Sequence, residues 1–139
     1  MHTRARWGVA AWLSAVLAGG CQCPDEVRLV SDDASLSVCA ERTQTEAERE
    51  RGLMGRQPLT PGEGLLLEWP VETELCFFNR GVGFSIDMVF ADSTGAIVAV
   101  ERGVPAGDET LRCHTAMRVL ELAAFEADGF EPGDRLESD

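Results

Sequence analysis

The stretch Cys76–Asp92, CFFNRGVGFSIDMVFAD, decides how this chain is read. A cysteine, two aromatics and a polar Asn79-Arg80-Gly81 turn precede an apolar segment that carries one carboxylate, Asp87. Phe84, Ile86, Met88 and Phe90 fall on one side of that segment, and Ser85, Asp87, Val89 and Ala91 on the other, which is the period of a strand. Asp92-Ser93-Thr94-Gly95 then reads as a hairpin turn, with glycine where a positive φ is needed. Ala96–Val104 is the returning strand.

Working outward, the apolar runs Leu65–Trp69 and Leu75–Phe78 read as two strands, the first bounded by Pro70. Ser35–Ala40 alternates as a half-buried strand. Between them the period changes. Thr45-Glu46-Ala47-Glu48 offers a capping box, so a short helix is predicted within Thr43–Gly52, with its charged run as a solvated face. Downstream, Pro105–Glu109 is a polar loop, Arg118–Ala124 a strand, Phe125–Phe130 a single helical turn and Arg135–Glu137 a last short strand. This pattern predicts an α+β fold, mostly antiparallel β, with the sheet curled toward a barrel and one or two short helices. Residues 35–139 form its single compact domain.

Residues 1–20 carry a charged start, an apolar run at Trp7–Leu17 too short to cross a bilayer, and small residues before Cys21. The ending Leu17-Ala-Gly-Gly-Cys21 resembles the lipobox of bacterial lipoproteins, which predicts acylation of Cys21 and anchoring to the envelope. Gln22 is not the Asp of an inner-membrane retention signal, so the outer membrane, facing the periplasm, is the expected address. Residues 21–34 are expected to be a tether. With 24 acidic against 12 basic residues and a net charge of −12, phosphate-rich partners are repelled, so no nucleic acid is expected. The chain has no Lys and no Tyr, which removes Schiff-base and tyrosine acid–base chemistry. A monomer without cofactor is expected.

Four cysteines besides Cys21 in an oxidising compartment point to two disulfides. Cys76 and Cys113 each open a strand-like stretch late in the chain, while Cys23 and Cys39 lie close together early. The favoured pairing is therefore Cys76–Cys113 with Cys23–Cys39. A zinc set of Cys39, Cys76, Cys113 and His114 is the alternative, opposed by the absence of any C-x-x-C spacing.

Together these residues resemble a bacterial and archaeal family known as domain of unknown function 192. Glu48-Arg49-Glu50-Arg51-Gly52-Leu53-Met54-Gly55-Arg56 with Leu59 is similar to the family's opening motif. Glu63–Leu67 resembles its turn and strand, Phe77–Asp92 its ungapped F-W-M-K-N-T-x-I-P-L-D-I-x-F-x-D, and Val119-Leu120-Glu121-Leu122 its V-L-E-L. The resemblance implies a mostly β domain with a small helix, commonly exported, and it implies no established reaction. The chain departs from the pattern at Phe78–Val82, where the family tends to W-M-K-N-T, and at Ser85, where it has proline.

The candidate site is the polar turn and the strand after it. Phe77 and Phe78 would supply contact area, and Asn79, Arg80 and Asp87 polar recognition. A carboxylate on an apolar strand must be paired or used, so Asp87 should meet Arg80, Arg102 or Arg112, or else contact a ligand. Glu121 raises the same question. Cys113-His114 suggests a nucleophilic pair, but adjacent residues of a strand face opposite ways. The expected function is a lipid-anchored, non-catalytic domain that binds a ligand or an envelope protein. An envelope hydrolase using Asp87 or Glu121 as general base, and a purely structural envelope protein, are the alternatives.

Overall fold

The computed structural model describes residues 23–139. The predicted signal segment 1–20 and Cys21, the predicted acylation site, lie outside the described residues. Seven strands form one sheet: β1 (Asp25–Val30), β2 (Ser35–Arg42), β3 (Glu63–Phe77), β4 (Ile86–Ala91), β5 (Ile97–Val104), β6 (Arg112–Ala123) and β7 (Arg135–Ser138), in the order β5-β4-β6-β3-β2-β1-β7. The pairings are antiparallel except β2 with β3, which are parallel. Parallel neighbours need a crossover, and the helix α1 (Glu46–Arg51) lies on it.

The sheet curls into a half-barrel. Its edge strands approach at one end, where Leu136 N–H donates to Gly95 O at 2.7 Å and Ile97 N–H to Asp134 O at 2.7 Å. Gly95 is required there. Its φ is +88°, and a Cβ would lie 2.7 Å from Leu136 O, so a side chain would push the closing strand away. The Asp92–Gly95 turn that brings this about is the hairpin expected, with Asp92 Oδ1 accepting from Thr94 N at 2.9 Å and Ala96 N at 3.0 Å.

Both faces of the central strands are covered. One core, inside the curl, gathers Val27, Leu29, Val38, Leu66, Val89, Leu120, Leu122 and Leu136. The other, on the outer face, gathers Leu53, Leu65, Leu67, Ile86, Met88, Phe90 and Val119. Hence all six residues of β4 are buried, its alternation separating two cores rather than core from solvent.

Several expectations change. The tether expected at 21–34 contains β1, whose Val27 and Leu29 are fully buried, because β1 bridges β2 and β7. The two runs on either side of Pro70 are one strand, β3, whose register with β6 shifts between Glu68 and Thr73, so the proline falls at an irregularity that needs no donor. The helix is six residues with none buried, capped by Thr45 as predicted: its hydroxyl accepts from Glu48 N at 3.1 Å, and Glu48 reaches back to Gln44 N at 2.8 Å. Phe125–Phe130 is a succession of turns, not a second helix. The described residues are therefore mostly strand with a single short helix, coarser than the α+β expected. Cys23–Cys39 and Cys76–Cys113 are both formed, so the three cysteines of the alternative zinc set are engaged in disulfides. Cys76 and Cys113 stand directly opposite in the β3–β6 register.

Candidate functional site

Beyond Pro70, β3 and the start of β6 run on as a two-stranded ribbon with mostly exposed side chains. Between this ribbon and α1 lies a cleft of about 430 Å³ on the outer face of the sheet. Glu46, Arg49, Glu50 and Arg51 of α1, then Gly52, Leu53 and Met54, line one side; Trp69, Phe77, Phe78 and Arg80 line the other. Phe77 is held edge-on between Trp69 and Phe90, at ring separations of 5.8 and 5.6 Å. The Arg49 guanidinium sits 5.6 Å from the centre of the Trp69 ring.

Glu121 of β6 also lines the cleft and is only 4% exposed. Its neighbours in register are Leu65 on β3 and Met88 on β4, both apolar. Among the described residues Oε2 has no hydrogen-bond partner, and neither has the buried Nε of Arg49. Burial pushes the Glu121 carboxyl up to about 7, against the pull of Arg56. Arg56 gives little more than that pull, because it is bound to Glu41 at 2.9 Å. Gly52 leaves room above the carboxyl: a Cβ there would stand 3.6 Å from Oε2, and the residue's φ of +50° ends the helix.

The residues predicted for the site separate. Phe77, Phe78 and Arg80 line the cleft; Phe78 is 40% exposed and Arg80, facing Glu109 at 3.3 Å, is at its rim. Asn79 is fully buried and structural. Its Nδ2 donates to Phe84 O at 3.0 Å and Pro105 O at 2.9 Å, and its backbone N–H donates to Asp108 O at 2.8 Å, tying the turn to the β5–β6 loop. Asp87 is fully buried on the opposite face of the sheet, paired in register with Leu122 of the inner core. Its partners are not Arg80, Arg102 or Arg112. Oδ1 accepts from Gly103 N and Phe125 N, both at 2.8 Å, and Oδ2 from Ala127 N at 2.9 Å. Arg102 instead caps the Ala127–Phe130 carbonyls, and Arg112 pairs with Asp108 at 3.0 Å. His114 contacts Glu101 at 2.9 Å and the Phe90 ring, while Cys113 is held in its disulfide, so no Cys–His pair forms.

A charged helix reads as a solvated face, so the chain alone does not single out Arg49, Leu53, Met54 or Trp69. The signal for three of them was present: Arg49, Leu53 and Met54 stand in the E-R-x-x-G-L-M stretch, where two apolar residues follow directly on a charged helix.

Two solved structures share the fold. A candidate transcription regulator from Sinorhizobium meliloti 1021 is 27% identical with a TM-score of 0.75, over 82% of this chain and 92% of that one. A protein of unknown function from Novosphingobium aromaticivorans DSM 12444 is 24% identical with a TM-score of 0.77, over 81% of this chain and 83% of that one, a likeness of fold alone. No curated protein matches. The profile of the domain of unknown function 192 family, described as an uncharacterized ACR, matches residues 27–138. The cleft, the buried turn and nearly all of the curled sheet thus lie within one matched segment, and the chain belongs to the domain of unknown function 192 family.

Proposed function

We propose that this protein is a lipid-anchored, exported binding protein whose cleft between α1 and β3 holds a small ligand without chemistry. The observation that carries the reading is Glu121: a buried carboxyl with an unpartnered oxygen, lining an aromatic cleft of about 430 Å³. Buried polar groups are normally satisfied, and an orphan in a cleft large enough for a metabolite is what a ligand would complete. The anchor follows from Cys21 and its lipobox-like approach, with the outer membrane as the address.

The test is thermal shift of the purified mature protein against the small-molecule fraction of an envelope extract. The wild type should be stabilised, and Glu121→Gln and Arg49→Leu should not. Equal shifts in all three, or none, would place binding elsewhere or remove it. Mass spectrometry of the mature protein should find Cys21 as its acylated first residue; an unmodified or different terminus would end the anchoring part.

A second reading, an envelope hydrolase, draws on the same carboxyl, since a group near pH 7 is suited to general-base work. It must rest on Glu121 alone, because Asp87 faces the inner core. It predicts that Glu121→Gln stops turnover of a bound extract component while leaving its binding.

A further inference from the structure

Two side chains that line the cleft carry unsatisfied groups of opposite character. Glu121 Oε2 at one place and Arg49 Nε at another are both buried and have no hydrogen-bond partner among the described residues, and no hydrogen bond or ion pair joins the two side chains. The remaining lining is largely apolar, chiefly Leu53, Met54, Trp69 and Phe77. A ligand with only a carboxylate would satisfy Arg49 and be repelled by an ionised Glu121. A ligand with only an amine would satisfy Glu121 and meet the positive charges of Arg49 and Arg51. A molecule carrying both, on an apolar body, satisfies each end.

We infer that the cleft binds a free α-amino acid with an apolar side chain, its ammonium on Glu121, its carboxylate on Arg49 and its side chain against Trp69 and Phe77. The inference rests on the cleft being the binding site. A guanidinium's planar fork is well matched to a carboxylate, and the aromatic walls supply contact for the side chain.

The pairing has a pH signature. Other charges around Glu121 come from α1 and the residues after it, namely Glu46, Arg49, Glu50, Arg51 and Arg56, with Glu48 acting on Arg56, and from Arg80 of the β3–β4 turn. Across from it in β3 and β4 stand only Leu65 and Met88. Empty, its carboxyl is held up near 7, so at acid pH it is protonated. An ammonium requires the carboxylate, so binding must expel that proton, and affinity should fall about tenfold for each pH unit below 7.

The experiment is isothermal titration of the intact mature protein with leucine and phenylalanine at pH 5.5 and 7.5, in buffers of different ionisation enthalpy. N-acetyl-leucine and leucinamide serve as one-ended probes. Free amino acids should bind at pH 7.5, weaken at least tenfold at pH 5.5, and release a proton to the buffer in the acidic range. Each one-ended probe should bind at least tenfold more weakly at pH 7.5. Glu121→Gln, which is isosteric, should lose at least tenfold and abolish the pH dependence, and Arg49→Leu should lose the discrimination against leucinamide. Affinity that is indifferent to either end, or that strengthens toward acid, overturns the inference, and the wild-type pH profile decides this even if a variant fails to fold. If no amino acid binds while the envelope extract still stabilises the wild type through Glu121, this inference fails and the binding function stands. If neither binds, both fail.

Discussion

Asp87 and Glu121 sit one register step apart on adjacent strands, Asp87 opposite Leu122 and Met88 opposite Glu121, and both are buried. Strand alternation sends them to opposite faces. Toward the inner core, Asp87 finds three backbone N–H groups and is fully used in holding the β5 bend at Gly103 to the turns at Phe125–Ala127. Toward the outer face, Glu121 finds apolar strands, a glycine and the cleft, and one of its oxygens has no partner among the described residues. The same residue chemistry at the same depth thus serves architecture on one face and is left available on the other. The distinction lies in what the surrounding backbone presents.

The most severe way to break this comparison is Asp87→Ala. It orphans three backbone donors, that of Ala127 buried and those of Gly103 and Phe125 partly buried, and at about 1–3 kcal/mol for each unmade bond the expected loss is roughly 4 kcal/mol, a large part of a small domain's stability. Urea denaturation measures it, and Asp87→Asn, which keeps an acceptor oxygen, should lie between. A loss below 1 kcal/mol would remove the architectural role.

The ribbon that walls the cleft is pinned by Cys76–Cys113, which closes a sequence separation of 37 residues. Replacing both cysteines by alanine should cost about 3–4 kcal/mol through the freed unfolded chain. Differential calorimetry should show a lowered Tm. The Glu121 side of the comparison is sharpened if ligand binding weakens beyond what the lower Tm explains.

Glu121 itself should act in the reverse direction to Asp87. Its folded pKa, about 7, is above the ordinary 4.5, so the native state holds the proton more tightly than the unfolded chain. That contribution is fully present below pH 4.5, declines as pH rises between 4.5 and 7, and is gone above 7. Glu121→Gln keeps the shape without the charge. Relative to wild type it should gain on the order of 2–3 kcal/mol across this window, read from urea midpoints at pH 4.5 and 8. A flat difference would mean that the carboxyl is better solvated than its surroundings indicate.

The smallest expected effect concerns the loop to which Asn79 is tied. Asp108 is held down to about 2 by Thr110 N–H and Arg112. Its contribution is therefore present above the ordinary 3.8 and lost as pH falls through about 2. Asp108→Asn should remove it at every pH, visible as faster amide exchange in the β5–β6 loop with little change in global stability. Slower exchange would contradict it.

Much of the frame was legible in the chain. The two-residue period of Phe84–Ala91, the Asp92–Gly95 turn and the Thr45–Glu48 cap are local devices, set by residues within one turn of one another; the turn and the cap appear where the pattern placed them, and the strand appears two residues shorter, as Ile86–Ala91. The β1 strand was missed because Asp25–Val30 is too short and mixed to announce itself. It is a strand because two neighbours and the inner core receive it.

By itself the sequence determined the strand periods, the turn chemistry, the helix cap and the family, since these depend on near neighbours or on ordered motifs. Only the tertiary structure decided the site. It set Asp87 and Glu121 on opposite faces, brought the helix and Trp69 to Phe77 and Phe78, and buried Asn79 as a brace for the turn. A side chain's partners across a sheet come from residues tens of positions away, and a carboxyl's role depends on whether those partners offer donors. No local pattern in the chain carries that information.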